Sequence, residues 1–163
     1  MNKLKYCSFY ANHIHLVTML LPYINEKIKE KKEILTMFEI DISESAKKII
    51  ESINLKEEER KKLIEVGWNN EINANNIKDI NIKNKIILVM GNNNFIENIN
   101  LILEKSPESY TIVNCFEFVQ TKETIDNILQ SHEKIINTSG ENEIEKVFTE
   151  YTKRSNKKIT IMK

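Results

Sequence analysis

Apolar positions along this chain switch period repeatedly, from two to nearly four and back. Lys3–Tyr10 (KLKYCSFY) groups Leu4, Tyr6, Cys7, Phe9 and Tyr10 in a run that suits a pleated, buried strand. Leu16, Leu20, Ile24 and Ile28 then recur every fourth residue, with Val17, Leu21 and Tyr23 widening the stripe, which predicts a helix over Leu16–Lys31. Pro22 removes one backbone donor from that helix and predicts a kink. Glu33–Ile40 (EILTMFEI) reads as a second strand. Ser43 is placed to cap a helix whose apolar face is Ala46, Ile49, Ile50 and Ile53, and Asn54 to cap the next. In that next helix Glu57, Glu58 and Glu59 precede Arg60, Lys61 and Lys62, a charge order that helix stability explains by itself.

The remaining pattern continues the alternation. Leu63–Trp68 reads as a short strand and Asn69–Asn84 as a long, Asn-rich loop with room for one short strand. Lys85–Met90 (KIILVM) is apolar on both faces, the signature of a buried strand. Asn94 with Glu97 predicts a capped helix that ends before Pro107. Tyr110–Phe118 (YTIVNCFEF) is another strand, Thr121–Ser131 a helix on Ile125, Ile128 and Leu129, and Glu133–Asn137 a short strand. Thr138 and Glu141 read as a second capping box, opening a helix with Ile144, Val147, Phe148 and Tyr151 on one face; Lys157–Met162 reads as a last edge strand. Strands and helices that alternate in this way predict an α/β fold of three layers, a mostly parallel sheet with helices on both faces.

Length and composition narrow the choices. The chain has 163 residues, of which 40% are apolar and 29% charged, as expected for one globular domain. Its formal net charge is zero, with Lys and Glu interspersed, so it lacks the concentrated positive patch that direct nucleic-acid binding requires. Arg60 and Arg154 are the sole arginines, which disfavours bidentate recognition of phosphate or carboxylate. Cys7 and Cys115 both fall in strand patterns, where a free thiol behaves as a small hydrophobe rather than part of a disulfide framework. No signal-peptide pattern and no run of about 18 apolar residues are found, so a cytoplasmic location without a membrane span is expected.

In folds of this kind ligands collect beyond the carboxyl ends of the strands, here Tyr10–His15, Glu39–Ser43, Trp68–Asn70, Gly91–Asn94 and Glu117–Gln120. A phosphate-binding loop between the first strand and helix would read GxxxxGK[ST], with glycines exposing backbone donors. Phe9–His15 (FYANHIH) has no Gly and no Lys, so nucleotide hydrolysis by that route is not expected. His13 and His15 have a spacing that a metal site could use, but no third ligand accompanies them; ordinary polar or helix-start histidines are the competing reading, and neither metal nor cofactor is expected. His132 could bond a helix end or titrate near neutral pH. Glu39, Asp41 and Glu117 lie near strand ends without a nucleophile to serve. Cys115 lies mid-strand, where burial disfavours a thiolate, so a Cys115–His132 catalytic pair is not expected. Trp68 and Phe95 suit either an apolar pocket or the core.

Three segments together resemble the MEDS domain, the methanogen/methylotroph DcmR sensory domain. They are KYCSFYANHIHLVTMLLPYINEKIKEKKEILTMFE, with Phe9-Tyr10 and Pro22-Tyr23; LVMGNNNF, with Gly91 and with Phe95 where the family usually has Trp; and TIVNCFEFVQTKETIDNILQSHEKII, with Cys115 and His132. Phe116-Glu117-Phe118 departs from the family's usual Gln-Tyr-Asp, and Glu133 stands in place of its proline. The resemblance implies a RecA-like fold without a working phosphate-binding loop. It also implies sensing of a small molecule and transmission to a DNA-binding or kinase domain. With no room for such a domain, this chain is expected to act on a separate regulator or kinase, a second copy of itself also being a candidate partner. The resulting expectation is a non-catalytic sensory or regulatory module. Its ligand-facing residues would be Tyr10, His13, His15, Glu39, Trp68, Gly91, Asn92, Phe95, Cys115, Glu117 and His132. A pure interaction scaffold is the alternative, and a small-molecule enzyme the third.

Overall fold

The computed structural model describes residues 2–121 and 123–148. β1 (Lys3–Tyr10) leads into α1 (His13–Lys29), followed by β2 (Ile34–Phe38), α2 (Ser43–Ser52) and α3 (Glu57–Glu65). A 3-10 turn (Ile77–Asp79) precedes β3 (Ile86–Met90), α4 (Asn93–Glu104) and β4 (Tyr110–Glu117). The described chain ends with α5 (Phe118–Thr121), α6 (Ile125–Gln130), β5 (Lys134–Asn137), β6 (Gly140–Glu143) and α7 (Ile144–Val147). The six strands form one sheet in the order β2-β3-β4-β1-β5-β6. Five run parallel, and β6 returns antiparallel to β5.

Strand periodicity divides the interior into two apolar layers. Ile86, Leu88 and Met90 of β3 and Val113 and Cys115 of β4 pack with Leu16, Leu20 and Ile24 of α1 and with Ala46, Ile50 and Leu63 of α2 and α3. Ile87, Val89, Ile112 and Phe116 face the opposite way, onto Ile96, Ile99 and Leu103 of α4, Leu129 of α6 and Ile77. A parallel sheet covered on both faces has to be apolar on both, which is why β3 is buried at all five positions. Each fully buried Leu or Ile contributes about 1.5–3 kcal/mol relative to exposure. No helix among the described residues is long and apolar enough to cross a membrane.

Several local expectations are corrected. Leu63–Trp68 is not a strand: Leu63 buries on the inner face of α3, and the Trp68 indole donates back to the Leu63 carbonyl at 2.8 Å. Ser43 starts α2 instead of capping it, its own amide donating to Asp41 Oδ1 at 2.9 Å, and Lys56 rather than Asn54 occupies the cap position of α3. Asn92, not Asn94, caps α4 by accepting from the Phe95 amide at 2.7 Å. The helix expected over Thr121–Ser131 is shorter, α6 spanning Ile125–Gln130, and a separate α5 begins at Phe118, which was expected to end β4.

Thr138 does not open a helix either. Asn137 pairs with Gly140 across a tight β5–β6 turn, and Gly140 has φ of 95°, a left-handed conformation that suits glycine. Glu141 turns toward cations instead of a helix amide. It accepts from Tyr6 Oη at 3.1 Å and Lys134 Nζ at 3.0 Å, with Lys27 Nζ 3.5 Å away. The segment Asn69–Asn84 holds the 3-10 turn rather than a strand. Tyr151 and the strand expected over Lys157–Met162 lie outside the described residues.

Candidate functional site

The turn between β1 and α1 uses its own side chains to occupy two of its backbone donors. The Ala11 amide donates to His15 Nδ1 at 2.9 Å, and the His15 amide donates to Asn12 Oδ1, also at 2.9 Å. The amides of Ala11 and His15 are therefore already bonded within the turn instead of being free for an anion. His13 is half-buried, 6.4 Å from the Tyr10 ring, whereas His15 is exposed. Tyr10 is buried, and burial raises its hydroxyl pKa above the ordinary phenol range, with Cys115 next in effect.

A second group closes the corner between β2 and β3. Glu39 Oε1 accepts from the Asn92 amide at 2.9 Å, and Oε2 from the Asn92 side chain at 3.3 Å. A Cβ added to Gly91 would stand 2.5 Å from Phe95 Cδ1 and 2.9 Å from Glu39 Cβ, so glycine is what lets α4 start this close to β2. Glu39, Gly91, Asn92 and Phe95 are thus brought together as one corner whose polar atoms largely satisfy each other. Glu117 ends β4 directly opposite Tyr10 in the parallel register.

Trp68 and Cys115 belong to the interior. Trp68 is 2% exposed and packs 6.2 Å from the Phe38 ring. Cys115 is fully buried in the layer beneath α1, and burial pushes its thiol up to about 12. His132 lies on the other face of the sheet, against the Phe116 ring, so Cys115 and His132 are not paired. Among the described residues no group of three or more His, Cys, Asp or Glu side chains is placed to hold a metal ion.

His132 instead ends a polar chain that begins on α4. Its Nδ1 lies 2.6 Å from the Ile128 carbonyl, which can only accept, so Nδ1 carries the proton and Nε2 the lone pair. Asn114 Nδ2 donates to that lone pair at 3.0 Å. Asn114 and Asn100 also exchange two amide bonds, of 2.9 and 3.2 Å, and Asn100 Nδ2 donates to the Ile96 carbonyl at 2.8 Å. Burial, only partly offset by the Ile128 carbonyl, pushes the His132 pKa down to about 4 and keeps the ring neutral.

This chain of groups forms one wall of a cleft of about 640 Å³ between α4 and α6, above β4 and β1. Ile96, Phe116 and Ile128 supply apolar surface, the Phe116 ring standing edge-on to His132 at 5.9 Å. Lys5, Glu97 and Glu104 bring charge to the lining. Of the residues expected to face a ligand, His132 alone lines this cleft, while Tyr10, His13, His15, Glu39, Gly91, Asn92, Phe95 and Glu117 gather toward the carboxyl edge. Asn100 and Asn114 were not anticipated. Asn114 is the one amide inside the apolar run of β4, and a polar side chain at a position buried on both faces was the available signal.

Comparison with family models, with curated proteins and with solved structures found no match to this chain.

Proposed function

We propose that this protein is a non-catalytic sensory or regulatory module in which a small molecule seats in the cleft between α4 and α6 and its occupancy alters a protein contact. The observation that carries this reading is the cleft itself. Its volume of about 640 Å³ falls in the range of small-molecule sites, and it pairs an apolar floor with a few convergent polar groups. The likeness to MEDS domains and a RecA-like ancestry belong to the same proposal. They are supported by the central position of β1 in a mostly parallel sheet and by an entry turn in which the Ala11 and His15 amides are bonded to the turn's own side chains. A cytoplasmic setting also belongs to it, consistent with two buried free thiols. The test is a thermal-shift and native mass-spectrometry screen of metabolites, repeated on Leu101→Trp. Leu101 is 52% exposed at the cleft, so the larger ring fills the mouth without entering the core. Hits lost in that variant support the reading; a screen without hits, or hits indifferent to the variant, overturns it.

A second reading, an interaction scaffold without a ligand, is favoured by one observation. Ile14, Phe118 and Val119 are 62%, 46% and 75% exposed just beyond the ends of the adjacent strands β1 and β4. A partner regulator or kinase, or a second copy of the chain, that binds the ligand-free protein and is released by Val119→Asp would support it.

A further inference from the structure

We infer that a second, separate site lies at the amino edge of the sheet, on the face that carries α1, and that it takes a small carboxylate with an aliphatic body. Leu4, Thr111 and Ile86 stand side by side across β1, β4 and β3 in the parallel register. The row is not fully covered, Leu4 being 37% exposed. It floors a groove of about 410 Å³ that Tyr6, Tyr23 and Lys27 also line, a volume in the range of small-molecule sites.

Tyr23 is the residue that asks for a ligand. It is 1% exposed, and its hydroxyl is buried with no hydrogen-bond partner among the described residues. A buried phenol left in that state costs stability, and the groove beside it is where a partner can enter. Burial raises its pKa above the ordinary phenol range, so the oxygen keeps a proton to donate.

Charge selects the sign of that partner. Glu141 is the carboxylate of the lining, and it already faces Tyr6 Oη at 3.1 Å, Lys134 Nζ at 3.0 Å and Lys27 Nζ at 3.5 Å. Lys27 in turn is shared with Glu30, at 3.2 Å. Lys32 is the charged group of the lining without an ion-pair partner among the described residues. The Asn2 and Asn84 side chains offer a donor and an acceptor each and favour neither sign. A cation would meet two lysines and a carboxylate whose charge is already balanced. A carboxylate meets the Lys32 ammonium and the hydroxyl protons of Tyr23 and Thr111, with its chain on Leu4 and Ile86.

Isothermal titration of the full chain at pH 7 with hexanoate, hexanamide and hexylamine tests this, since the three probes share a chain and differ in the polar group. Hexanoate is expected to bind about tenfold more tightly than either of the others. Tyr23→Phe removes the hydroxyl alone. Its melting temperature should be unchanged or higher, because no native hydrogen bond is lost, while its affinity for hexanoate falls about tenfold. Lys32→Gln should weaken hexanoate roughly two- to fivefold and leave hexanamide unchanged. Leu101→Trp, at the α4–α6 cleft, should change neither, so this site and that cleft are tested apart. Equal or tighter binding of hexanamide or hexylamine, or no binding of hexanoate, overturns the assignment. So does hexanoate binding that survives Tyr23→Phe intact or is lost in Leu101→Trp. A Tyr23→Phe protein that melts lower would reveal a native partner for the hydroxyl and remove the reason for the site.

Discussion

Asn114, in the middle of β4, donates its side-chain amide to Nε2 of His132 at 3.0 Å, tying a central strand to the residue that enters β5. The bond exists only while the imidazole is neutral, because a protonated Nε2 has no lone pair to accept with. Acid should therefore act on the fold through this pair. His132 has an ordinary value of 6.5 and is held down to about 4, so the folded state binds this proton less tightly than the unfolded chain. Its contribution is fully present above pH 6.5 and is lost as pH falls toward 4. Urea unfolding should show stability about 2 kcal/mol lower at pH 5 than at pH 7.5 from this group. His132→Gln, less stable at pH 7.5, should show a flatter dependence over that interval; equal slopes in both proteins would remove His132 from the explanation.

The paired amides of Asn100 and Asn114 should be energetically coupled. Replacing either one by Ala leaves buried donors or acceptors on the other without a partner, at a cost of about 1–3 kcal/mol. Removing both avoids that penalty, so the double variant should be less destabilised than the sum of the two single changes by roughly 1–2 kcal/mol. A double-mutant cycle measured by chemical denaturation gives this number directly, and simple additivity would show that the two bonds are not formed in solution.

Gly91 should resist substitution for a steric reason. An Ala methyl would meet Phe95 Cδ1 at 2.5 Å and Glu39 Cβ at 2.9 Å. Gly91→Ala is expected to cost roughly 1–3 kcal/mol. Adding Phe95→Ala, which removes the contact with residue 95 but not the one with Glu39 Cβ, should make Gly91→Ala cost less than it does beside Phe95. A fully tolerated Gly91→Ala would mean that α4 does not start against β2 as described.

Both cysteines should be silent toward thiol reagents in the native protein. Cys7 and Cys115 are fully buried, and burial pushes each thiol up to about 12. Titration with Ellman's reagent at pH 8 should find no fast-reacting thiol in the folded protein and two after unfolding in urea. One fast thiol in the folded state would contradict the packing around whichever residue carries it.

The pattern of the chain alone determined the layers. The apolar runs at Lys3–Tyr10 and Tyr110–Glu117, and the doubly apolar Ile86–Met90, bury side chains on both faces, as strands of a sheet covered on both sides must. The absence of glycine from Phe9–His15 was equally legible, because phosphate binding there depends on residue type. Tertiary structure decided where periodicity is weak and a distant partner outweighs local preference. Glu141 joined β6 because Lys134, Tyr6 and Lys27 offered it more than a helix amide would.

The polar site was the least legible part. His132 was visible as a residue, but its neutral state depends on burial and on the Ile128 carbonyl. Asn100 and Asn114 lie on different elements, and only the packing of α4 against β4 brings their amides face to face. Cys115, one position from Asn114, points to the opposite layer, since successive residues of a strand alternate faces. Residue types along the chain therefore indicated which side chains carry chemistry. Their grouping, with Cys115 and His132 on opposite faces of the sheet and Asn114 joined to His132, was settled by strand alternation and by the order in which the strands assemble.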